Sequence, residues 1–516
     1  MFIRRNVHQP GDEAWTSDLL WYARAVQAMA QRPLDDRTSW RFWAAIHGFD
    51  ADRWTQLGYL DPGEPLPSPQ DRATFWRQCQ HGSWYFLPWH RGYLFAFENT
   101  VRAAIDSLGG PAETWALPYW DYFARDQADL PAAFADQAWP DGRAGNPLFV
   151  AARYGPGGDG DVYIPMGSVT LRALRDRVFT GVPASPGFGG IDTGFSHSGS
   201  PHGRLEGDPH DLIHVEVGGR QLGTRIVGAM GDPRTAGLDP IFWLHHANID
   251  RLWVEWLASY QGADPTDPDW LGGPAATGGQ AFTMPNPDGS PWSFTPADVL
   301  TTQALGYEYD DLTPNAGAPD PPPALAAAAG GPGGAMPADQ PRSTEMVGAS
   351  DTDLPLRAAP TRALVGLDPG TFQRATRAMA APAPGAPAAE PERVLLNLEN
   401  VRGTDDATVV AVYVGLPDGA DPAAHPELLA GNVGLFGVSQ ASDPGGDHAG
   451  EGITYVIDIS DVVRGADLEA AVEADQLPVT LVPRRPSDAR NVAPGPDDDV
   501  DPDVTIGRVT IFREGT

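Results

Sequence analysis

The sequence predicts a mainly α domain built on a four-helix bundle, followed by a linker and a small all-β, sandwich-like domain. Three changes along the chain predict this order. Residues 1–310 are rich in Trp and Phe at helical spacing, residues 311–390 are dominated by Pro, Ala and Gly, and residues 391–516 alternate apolar runs with Asp, Gly and Pro turns. A chain of 516 residues is also long enough for two or three domains.

The helices of the predicted bundle are recognised by their end signals, which are a polar cap or a proline at the start and a glycine at the stop. They run over about 39–47, 88–105, 210–214 and 239–257. Each of them carries at least one histidine. Imidazoles that point inward from several packed helices are typical of a metal-binding bundle.

The stretch of residues 311–390 cannot bury enough apolar surface to offset the entropy of ordering it, and it is predicted to be a linker. Runs rich in Val, Ile and Leu then recur with turn residues between them, which predicts a small antiparallel sandwich or barrel. These runs are residues 393–398, 407–414, 453–459, 478–482 and 504–512.

The composition excludes several classes of partner. A formal net charge of −33 opposes binding to nucleic acid or to an anionic membrane surface. The single cysteine, Cys79, excludes an intrachain disulfide. The N-terminus shows no apolar signal segment, and no apolar run is long enough to span a bilayer. We therefore expect a soluble protein that is cytoplasmic by default.

Six histidines form the most informative pattern, as two sets of three. The sets are His47, His81 and His90, and His210, His214 and His246. Neutral imidazole binds copper, zinc, iron and nickel, and three imidazoles leave room on a metal for a further ligand. Asp211 follows His210 where zinc hydrolases of the His-Glu-x-x-His type carry Glu, which argues against that type. The near absence of carboxylate ligands in the motifs disfavours a hydrolase with two zinc ions. Two such sites in one domain suggest two metals that act on one small molecule.

The contexts of these histidines are long and aromatic: Trp84-Tyr-Phe-Leu-Pro-Trp-His-Arg and Asp239-Pro-Ile-Phe-Trp-Leu-His-His-Ala-Asn-Ile-Asp-Arg. They resemble the motifs of tyrosinases, catechol oxidases and molluscan haemocyanins, the family of binuclear (type 3) copper proteins. The resemblance covers about residues 1–310. It implies two copper ions, CuA bound by His47, His81 and His90, and CuB bound by His210, His214 and His246.

The resemblance also ranks the ligands. In the doublet of His245 and His246, the family pattern points to His246 as the ligand and to His245 as a structural neighbour. His47 is assigned by its position at a helix end and because no other histidine lies between His8 and His81.

Cys79 lies two residues before His81. A buried structural thiol is the ordinary role of a single cysteine. In some members of the family, the sulfur at this place is bonded to an imidazole carbon. The resemblance therefore implies a thioether between Cys79 and His81, which would restrict the motion of the ligand.

Two carboxylates flank the first CuB histidine. Glu206 lies near the start of a predicted helix, where the helix dipole alone favours a carboxylate. The resemblance implies instead that Glu206 holds a water which, together with the residue after His210, deprotonates an incoming phenol. That residue is usually Asn in efficient monophenolases and is Asp211 here, a departure that bears on monophenol hydroxylation.

Three further residues are expected close to the ligands. The resemblance implies that Phe242 packs against them and that Val215 lines the entrance without offering a charge. Asp250 lies one helical turn after His246, so it either fixes the second nitrogen of that imidazole or forms a surface salt bridge with Arg251.

The segment 391–516 resembles, more loosely, the β-rich domain that follows the copper domain in plant polyphenol oxidases and molluscan haemocyanins. In those proteins the domain lies over the copper site and can insert an apolar side chain into its entrance. Leu435 and Phe436 are either such a plug or part of the β core. The resemblance implies a proenzyme that stays latent until a protease acts on the linker and the C-terminal domain is displaced.

The predicted function is that of a copper-dependent oxidoreductase that oxidises o-diphenols to o-quinones with O2, with or without ortho-hydroxylation of monophenols. Its expected partners are small phenols, O2 and an activating protease. Oxidation of o-aminophenols is an enzymatic alternative. Reversible O2 binding of the haemocyanin type is the alternative from another class, and the single copper unit without repeats weakens it.

Overall fold

The computed structural model describes residues 1–9, 14–195, 200–320, 343–378, 392–446, 449–465 and 475–515. The predicted linker lies partly outside this range, at residues 321–342 and 379–390. The described residues form a helical N-terminal half and a β-rich C-terminal half, which pack against each other.

The N-terminal half is helical, as the sequence predicts. Its helices are α1 (Ser17–Ala30), α2 (Trp40–His47), α3 (Ala51–Gln56), α4 (Pro69–Phe75), α5 (Phe86–Ser107), α6 (Ala132–Ala135), α7 (Leu212–Gly218), α8 (Pro240–Ser259) and α9 (Pro268–Gly272). The predicted caps are in place, since Ser39 accepts the N–H of Phe42 at 3.1 Å and Asp239 accepts that of Ile241 at 3.0 Å. Helix α1, which the sequence analysis did not place, packs along α5.

The long helices α5 and α8 form the centre of the helical half. Almost every residue of α8 is buried, as expected of a helix surrounded by protein. The ring of Phe97 on α5 stacks on that of Trp243 on α8 at 3.4 Å, and Trp40 and Trp43 of α2 meet Trp243 edge-on. This aromatic packing fixes three helices that carry histidines. No helix among the described residues is long and apolar enough to cross a membrane.

Short strand pairs close the helical half. The pairs are β1 (Phe2–Arg4) with β6 (Tyr307–Tyr309), β2 (Thr180–Gly181) with β3 (Gly190–Ile191), and β4 (Phe282–Pro285) with β5 (Pro291–Phe294). Arg4 is wholly buried, pairs with Glu98 at 2.6 Å and lies over the ring of Tyr307 at 3.7 Å. These contacts tie the two ends of the helical half together.

The C-terminal half is all-β, as predicted. Its strands are β7 (Ser343–Ala349), β8 (Leu354–Pro355), β9 (Thr361–Leu367), β10 (Arg393–Gly403), β11 (Val409–Val414), β12 (Leu429–Gly434), β13 (Ile453–Asp458), β14 (Gln476–Pro483) and β15 (Val504–Gly515). Within the described residues, they form one antiparallel sheet in the order β12-β11-β14-β9-β7-β15-β10-β13, with β8 against β15. The end strands β12 and β13 approach each other, so this single sheet is nearly closed around its apolar core.

Among its described residues, the β-rich half also contains four short helices. They are α10 (Pro369–Ala378), α11 (Val438–Ala441), α12 (Ser460–Gly465) and α13 (Pro486–Arg490). Helix α11 directly follows the loop after β12, which is the loop that contains Leu435 and Phe436.

The linker prediction is wrong for residues 343–378. Three strands of the sheet, β7, β8 and β9, lie there, and the buried side chains of β7 and β9 include Val347, Val365 and Leu367. The composition averaged over the predicted linker hides these short apolar runs, and their partner strands β14 and β15 lie far along the chain. The β-rich half therefore begins at Ser343 rather than at residue 391.

Arginine–carboxylate pairs join the two halves. Arg484, after β14, makes two hydrogen bonds, of 2.5 and 2.6 Å, to the wholly buried carboxylate of Glu216 on α7. Arg220 in the helical half pairs with Asp405 in the β-rich half at 2.7 Å. Strands β11 and β12 pack directly on α7. The β-rich half thus lies against the helix that carries His214.

Candidate metal centre

The first predicted set of histidines converges in the helical half. His47 ends α2, His90 lies near the start of α5, and His81 lies in the loop before α5. The Nδ1 of His47 lies 2.8 Å from the carbonyl of Pro233, and that of His90 lies 2.8 Å from the carbonyl one turn earlier. Because a carbonyl only accepts, both Nδ1 atoms carry the proton and both Nε2 lone pairs are free to bind a metal. Ligand atoms of the three histidines and of Cys79 lie within 4.8 Å of one another.

The second set forms a cluster beside the first. His214 lies on α7 and His246 on α8, while His210 belongs to a π-helical segment, Glu206–Asp211, that leads into α7. The Nδ1 of His214 lies 2.9 Å from the carbonyl of Met230, which leaves its Nε2 free. The Nε2 atoms of His214 and His246 are 3.3 Å apart. The structure thus brings the second set together as well, although the helix predicted through His210 is irregular at its start.

The two clusters face each other. The rings of His90 and His246 are stacked, with centroids 4.4 Å apart and planes at 9°. The ring centroids of His81 and His210 are 5.6 Å apart. Two ions bound at these clusters would therefore be neighbours that share one reaction space.

The donor atoms fit metal ions in both clusters. Burial lowers the pKa of His47 to about 4, and burial with neighbouring imidazoles holds the pKa values of the other five well below the usual value. Neutral imidazole is the form that binds copper or zinc. The Nε2 atoms of His47 and His210 are buried with no hydrogen-bond partner among the described residues. Such buried nitrogens are costly unless they bind a ligand.

His245 also belongs to the second cluster, because one of its ring nitrogens lies within 4.8 Å of those of the other three histidines. Its Nδ1 is 3.3 Å from the hydroxyl of Tyr122, and its Nε2 has no hydrogen-bond partner in the described part of the chain. The sequence prediction places His245 beside the ligands as a structural neighbour, and the structure brings it into the cluster itself.

Cys79 lies against two of the predicted ligands. Its sulfur is 3.5 Å from the Nδ1 and 3.7 Å from the Nε2 of His81, which places it near Cε1, the ring carbon between them. The same sulfur is 3.4 Å from the Nε2 of His90. Burial raises the pKa of the thiol well above its usual value. The thiol is therefore protonated and held within reach of an imidazole carbon.

Glu206 and Asp211 are buried beside the clusters. Glu206 accepts the N–H of Gly82 at 2.8 Å, and Gly82 directly follows His81 in the chain. Burial raises the pKa of Glu206 to about 8. Asp211 lies 2.9 Å from the Nδ1 of His210 through one oxygen, and its other oxygen lies 2.6 Å from the Nδ1 of His202. Both predicted carboxylates are thus at the site, joined by a histidine that was not predicted.

His202 is the residue that the sequence analysis missed. It is 5% exposed, and its Nδ1 also lies 3.8 Å from Glu206. Although burial lowers its pKa, the carboxylates of Glu206 and Asp211 outweigh burial and raise the pKa of His202 to about 9. The signal in the sequence is weak, because His202 lies four residues before Glu206 and outside both aromatic histidine motifs.

The prediction for Asp250 is wrong in both of its alternatives. The carboxylate is buried and accepts hydrogen bonds of 2.6 Å from Arg91 and from the hydroxyls of Tyr307 and Tyr309. It touches neither His246 nor the surface, because strand β6 brings the two tyrosines to that side of α8. Asp250 therefore stabilises the closure of the helical half rather than orienting a ligand.

Phe242 and Val215 lie on opposite sides of the second cluster's helices. The ring of Phe242 packs against the imidazoles of His47 and His246, with centroids 4.8 and 4.3 Å away. Val215 is 1% exposed and faces the β-rich half near Arg484. Strands β11 and β12 cover that side of α7, so the lining of the entrance by Val215 stays a prediction for the protein with its β-rich half displaced.

A cavity of about 220 Å³ lies between the two halves at the first cluster. Its walls include His47, Cys79, His81, His202, Arg234 and Phe436. The ring of Phe436 stacks on the imidazole of His214, with centroids 4.0 Å apart and planes at 11°. Leu435, one residue earlier, packs in the core of the β sheet. Of the two plug candidates, Phe436 covers the second cluster and Leu435 is core.

Two facing clusters of buried, neutral imidazoles in a helical half define a class of protein, the binuclear metal proteins with histidine ligands. The family model described as the common central domain of tyrosinase matches residues 37–150 and 171–259. A domain family of unknown function matches residues 343–514. Over 530 aligned residues, the chain is 32% identical to tyrosinase HcTyr1 of Hahella sp. (strain CCB-MM4), and the match covers 100% of both chains. The chain belongs to the tyrosinase and polyphenol oxidase family of copper oxidoreductases.

Other relatives agree with this assignment. The chloroplastic polyphenol oxidase of Malus domestica is 29% identical over 300 residues, which are 56% of this chain and 46% of that relative. The chain thus matches about half of the plant enzyme. A latent aurone synthase structure has a TM-score of 0.57 at 19% identity, covering 99% of this chain and 89% of that one. A latent apple tyrosinase structure has a TM-score of 0.55 at 22% identity, covering 100% and 97%. Both structures share the fold of the two halves.

Proposed function

We propose that the chain is a type 3 copper polyphenol oxidase that uses O2 to oxidise o-diphenols to o-quinones. The observation that carries the proposal is the pair of facing clusters whose ligand atoms lie within 4.8 Å of one another in each cluster. The proposed ligands are His47, His81 and His90 for CuA, and His210, His214 and His246 for CuB. When bound, the two copper ions supply the electron transfer to O2 that the oxidation of a diphenol requires.

The place of the substrate ring is proposed from Phe436. Its ring lies parallel to the imidazole of His214 at 4.0 Å, and a phenol ring of the same size would make the same stacking contact. Phe242 supports the opposite side of the ligand set, since it packs on His246 at 4.3 Å. The substrate would therefore be oriented by stacking, since Val215, next to His214 in the chain, offers no charge that would select acidic phenols.

The ionised form of Glu206, which its pKa of about 8 makes the minor form at neutral pH and the major form above pH 8, is the proposed acceptor of the substrate's hydroxyl proton. Its carboxylate is fixed by the N–H of Gly82 at 2.8 Å, next to His81, and excluded from bulk water. A buried carboxyl group beside the reacting hydroxyl can take a proton and later return it. Asp211 supplies a second carboxylate where efficient monophenolases usually carry Asn. We therefore take diphenol oxidation as the main reaction and ortho-hydroxylation of monophenols as a second activity to be tested.

Latency is part of the proposal. Phe436 occupies the place on His214 that a substrate ring would need, and it is 1% exposed. The two structural relatives that cover both halves are themselves named latent enzymes. The C-terminal cover must therefore be displaced before a phenol reaches the second cluster.

A thioether between Cys79 and His81 also belongs to the proposal. The sulfur lies near Cε1 of the imidazole, so a bond between Sγ and Cε1 needs little movement. The bond forms as the thiol hydrogen and the ring hydrogen are lost, and the two electrons pass to O2, the oxidant that the proposed activity already uses.

Oxygen uptake and quinone absorbance of the copper-loaded, full-length protein test the function. A catechol and its matching monophenol are compared before and after limited trypsin treatment. We expect quinone from the catechol after trypsin, little before it, and none from a His214→Ala variant. A reversible, O2-dependent absorption change with no quinone under any condition would instead support O2 carriage. Faster turnover of an o-aminophenol than of the catechol would move the assignment to that substrate.

A further inference from the structure

His202 and His210 are joined by one carboxylate. The Nδ1 of His202 lies 2.6 Å from one oxygen of Asp211, and the Nδ1 of His210 lies 2.9 Å from the other. We propose that His202 is a positioning residue of the CuB site, which holds Asp211 so that Asp211 in turn holds the ligand His210. The inference rests on the proposed function, because that function makes His210 a copper ligand.

The donor and acceptor roles along this chain follow from chemistry. Each carboxylate oxygen of Asp211 lies within hydrogen-bond distance of an imidazole nitrogen and accepts there, so each imidazole donates its Nδ1–H to Asp211. Donation from Nδ1 fixes the tautomer of His210 and leaves its Nε2 lone pair free, and that Nε2 is buried without a hydrogen-bond partner among the described residues. Without His202, one oxygen of a wholly buried carboxylate would lose its partner, and Asp211 could rotate away from His210.

His202 is not itself a member of either ligand cluster among the described residues. Its ring lies between the two halves: His81 stacks on one side at 6.4 Å, and Tyr455 of β13 meets it edge-on at 5.9 Å. Pro201, the preceding residue, pairs with Thr454 of the same strand. Contacts from both halves therefore fix the imidazole that orients Asp211.

Two substitutions of His202 distinguish a role in positioning Asp211 from a role in packing alone. In His202→Asn, an amide N–H stands at the same number of bonds from the backbone as the Nδ1–H, so the hydrogen bond to Asp211 can be kept. In His202→Leu, the donor is lost and an apolar group fills the space. His425→Leu is the matched control, because His425 also lies beside a carboxylate, 3.1 Å from Glu427, but is far from the site and partly exposed.

The measured quantity is the affinity of the metal-free, full-length protein for Cu(I), titrated without oxygen against a chromophoric chelator. Loss of a partner that orients a ligand typically weakens metal binding about 10–100-fold. We expect His202→Leu to weaken one of two sites by that factor and to leave the other unchanged. His202→Asn should stay within about threefold of the original chain, and the His425→Leu control should not differ from it.

A double variant tests the route through Asp211. If His202 acts only through Asp211, then adding His202→Leu to Asp211→Leu weakens Cu(I) binding no further, since residues of one network are not additive. Unchanged binding in His202→Leu, equal losses in the Asn and Leu variants, or an additive double variant would each overturn the proposal. If His202→Leu does not fold, His202→Gln replaces it, because its amide stands one bond too far out to reproduce the contact. Failure of the unaltered chain to bind two Cu(I) ions would count against the proposed function instead.

Discussion

Replacing the side chain that covers the second cluster should activate the full-length protein without a protease. Phe436→Ala removes a benzyl group that stacks on His214 at 4.0 Å and is 1% exposed. The arginine–carboxylate pairs between the two halves do not involve this ring, so the β-rich half should stay docked. The space left by the benzyl group has the size of a phenol ring and is bounded by the imidazole on which the substrate would stack. A ring of that size regains the stacking contact on His214 that the benzyl group gave up.

The magnitude follows from the burial of the ring. Truncation of a buried Phe to Ala costs about 3–5 kcal/mol in protein cores. We take about 3 kcal/mol, because the ring borders a cavity, and this energy corresponds to a factor of roughly 100 in an equilibrium constant. In the unaltered chain, a phenol must displace the ring and binds more weakly by that factor. We therefore expect kcat/KM for a catechol to rise about 100-fold in Phe436→Ala, mostly through a lower KM.

Leu435→Ala is the matched control for this experiment. Leu435 is as buried as Phe436 and adjacent to it, but it packs in the β core rather than on the histidines. We expect this variant to lower the unfolding temperature of the β-rich half without a comparable rise in kcat/KM, measured where that half is still folded. Equal activation by the two variants, or a change below twofold in Phe436→Ala, would refute the reasoning that this ring blocks the substrate.

Three further predictions concern the interface and Cys79. Arg484→Ala leaves the buried carboxylate of Glu216 unpaired. Because the arginine is 20% exposed, we expect the free energy of unfolding in urea to fall by about 2–3 kcal/mol, less than the usual cost of breaking a buried pair. An unchanged urea midpoint would contradict this. Burial and the nearby Asp232 raise the pKa of Asp406 to about 7, above its unfolded value of 3.8. The stability that this group contributes is therefore complete below about pH 4 and is lost as the pH rises through 7. Between pH 4 and pH 8, the unfolding temperature of Asp406→Asn should therefore fall less than that of the unaltered chain. Parallel curves of unfolding temperature against pH for the two proteins would exclude the effect. After exposure to copper and O2, intact-mass measurement should find the protein two hydrogens lighter and Cys79 closed to alkylation, whereas a fully alkylated thiol would exclude the thioether.

The convergence of the six histidines could be predicted because the resemblance names them, and because helix-start signals at Ser39, Pro88 and Asp239 place the helices that carry His47, His90 and His246. His90 follows Pro88, and His246 follows the cap at Asp239. Even His47, which has no motif around it, is placed by the cap at Ser39 and the glycine that follows it. Local chemistry was sufficient for these helices, since a cap or an initial proline fixes where a helix begins and the helical repeat then fixes the residues beyond it.

Residues that act through distant partners could not be predicted in this way. The proposed role of His202 depends on its contact with Asp211, and a π-helical segment between them brings the two residues together. Asp250 was assigned from helical spacing alone, whereas the tyrosines of β6 decide where its carboxylate points. The strands between residues 343 and 367 were missed for a similar reason, because their partners β14 and β15 lie far along the chain.

The β-rich half has two opposite effects on the same helix. Phe436 covers the imidazole of His214. Arg484, in contrast, pairs with the wholly buried carboxylate of Glu216, which lies two residues after His214 on α7. Strand β12 lies so close that a Cβ at Gly434 would come within 3.0 Å of the carbonyl oxygen of Asp211. Displacement of the whole half would separate Glu216 from Arg484 and, because β11 and β12 cover that side of α7, would also expose this carboxylate to water. An opening limited to the loop between β12 and α11 moves the blocking ring and keeps the contact between Arg484 and Glu216, so it needs less free energy than displacement of the whole half, although either route frees His214 for a phenol.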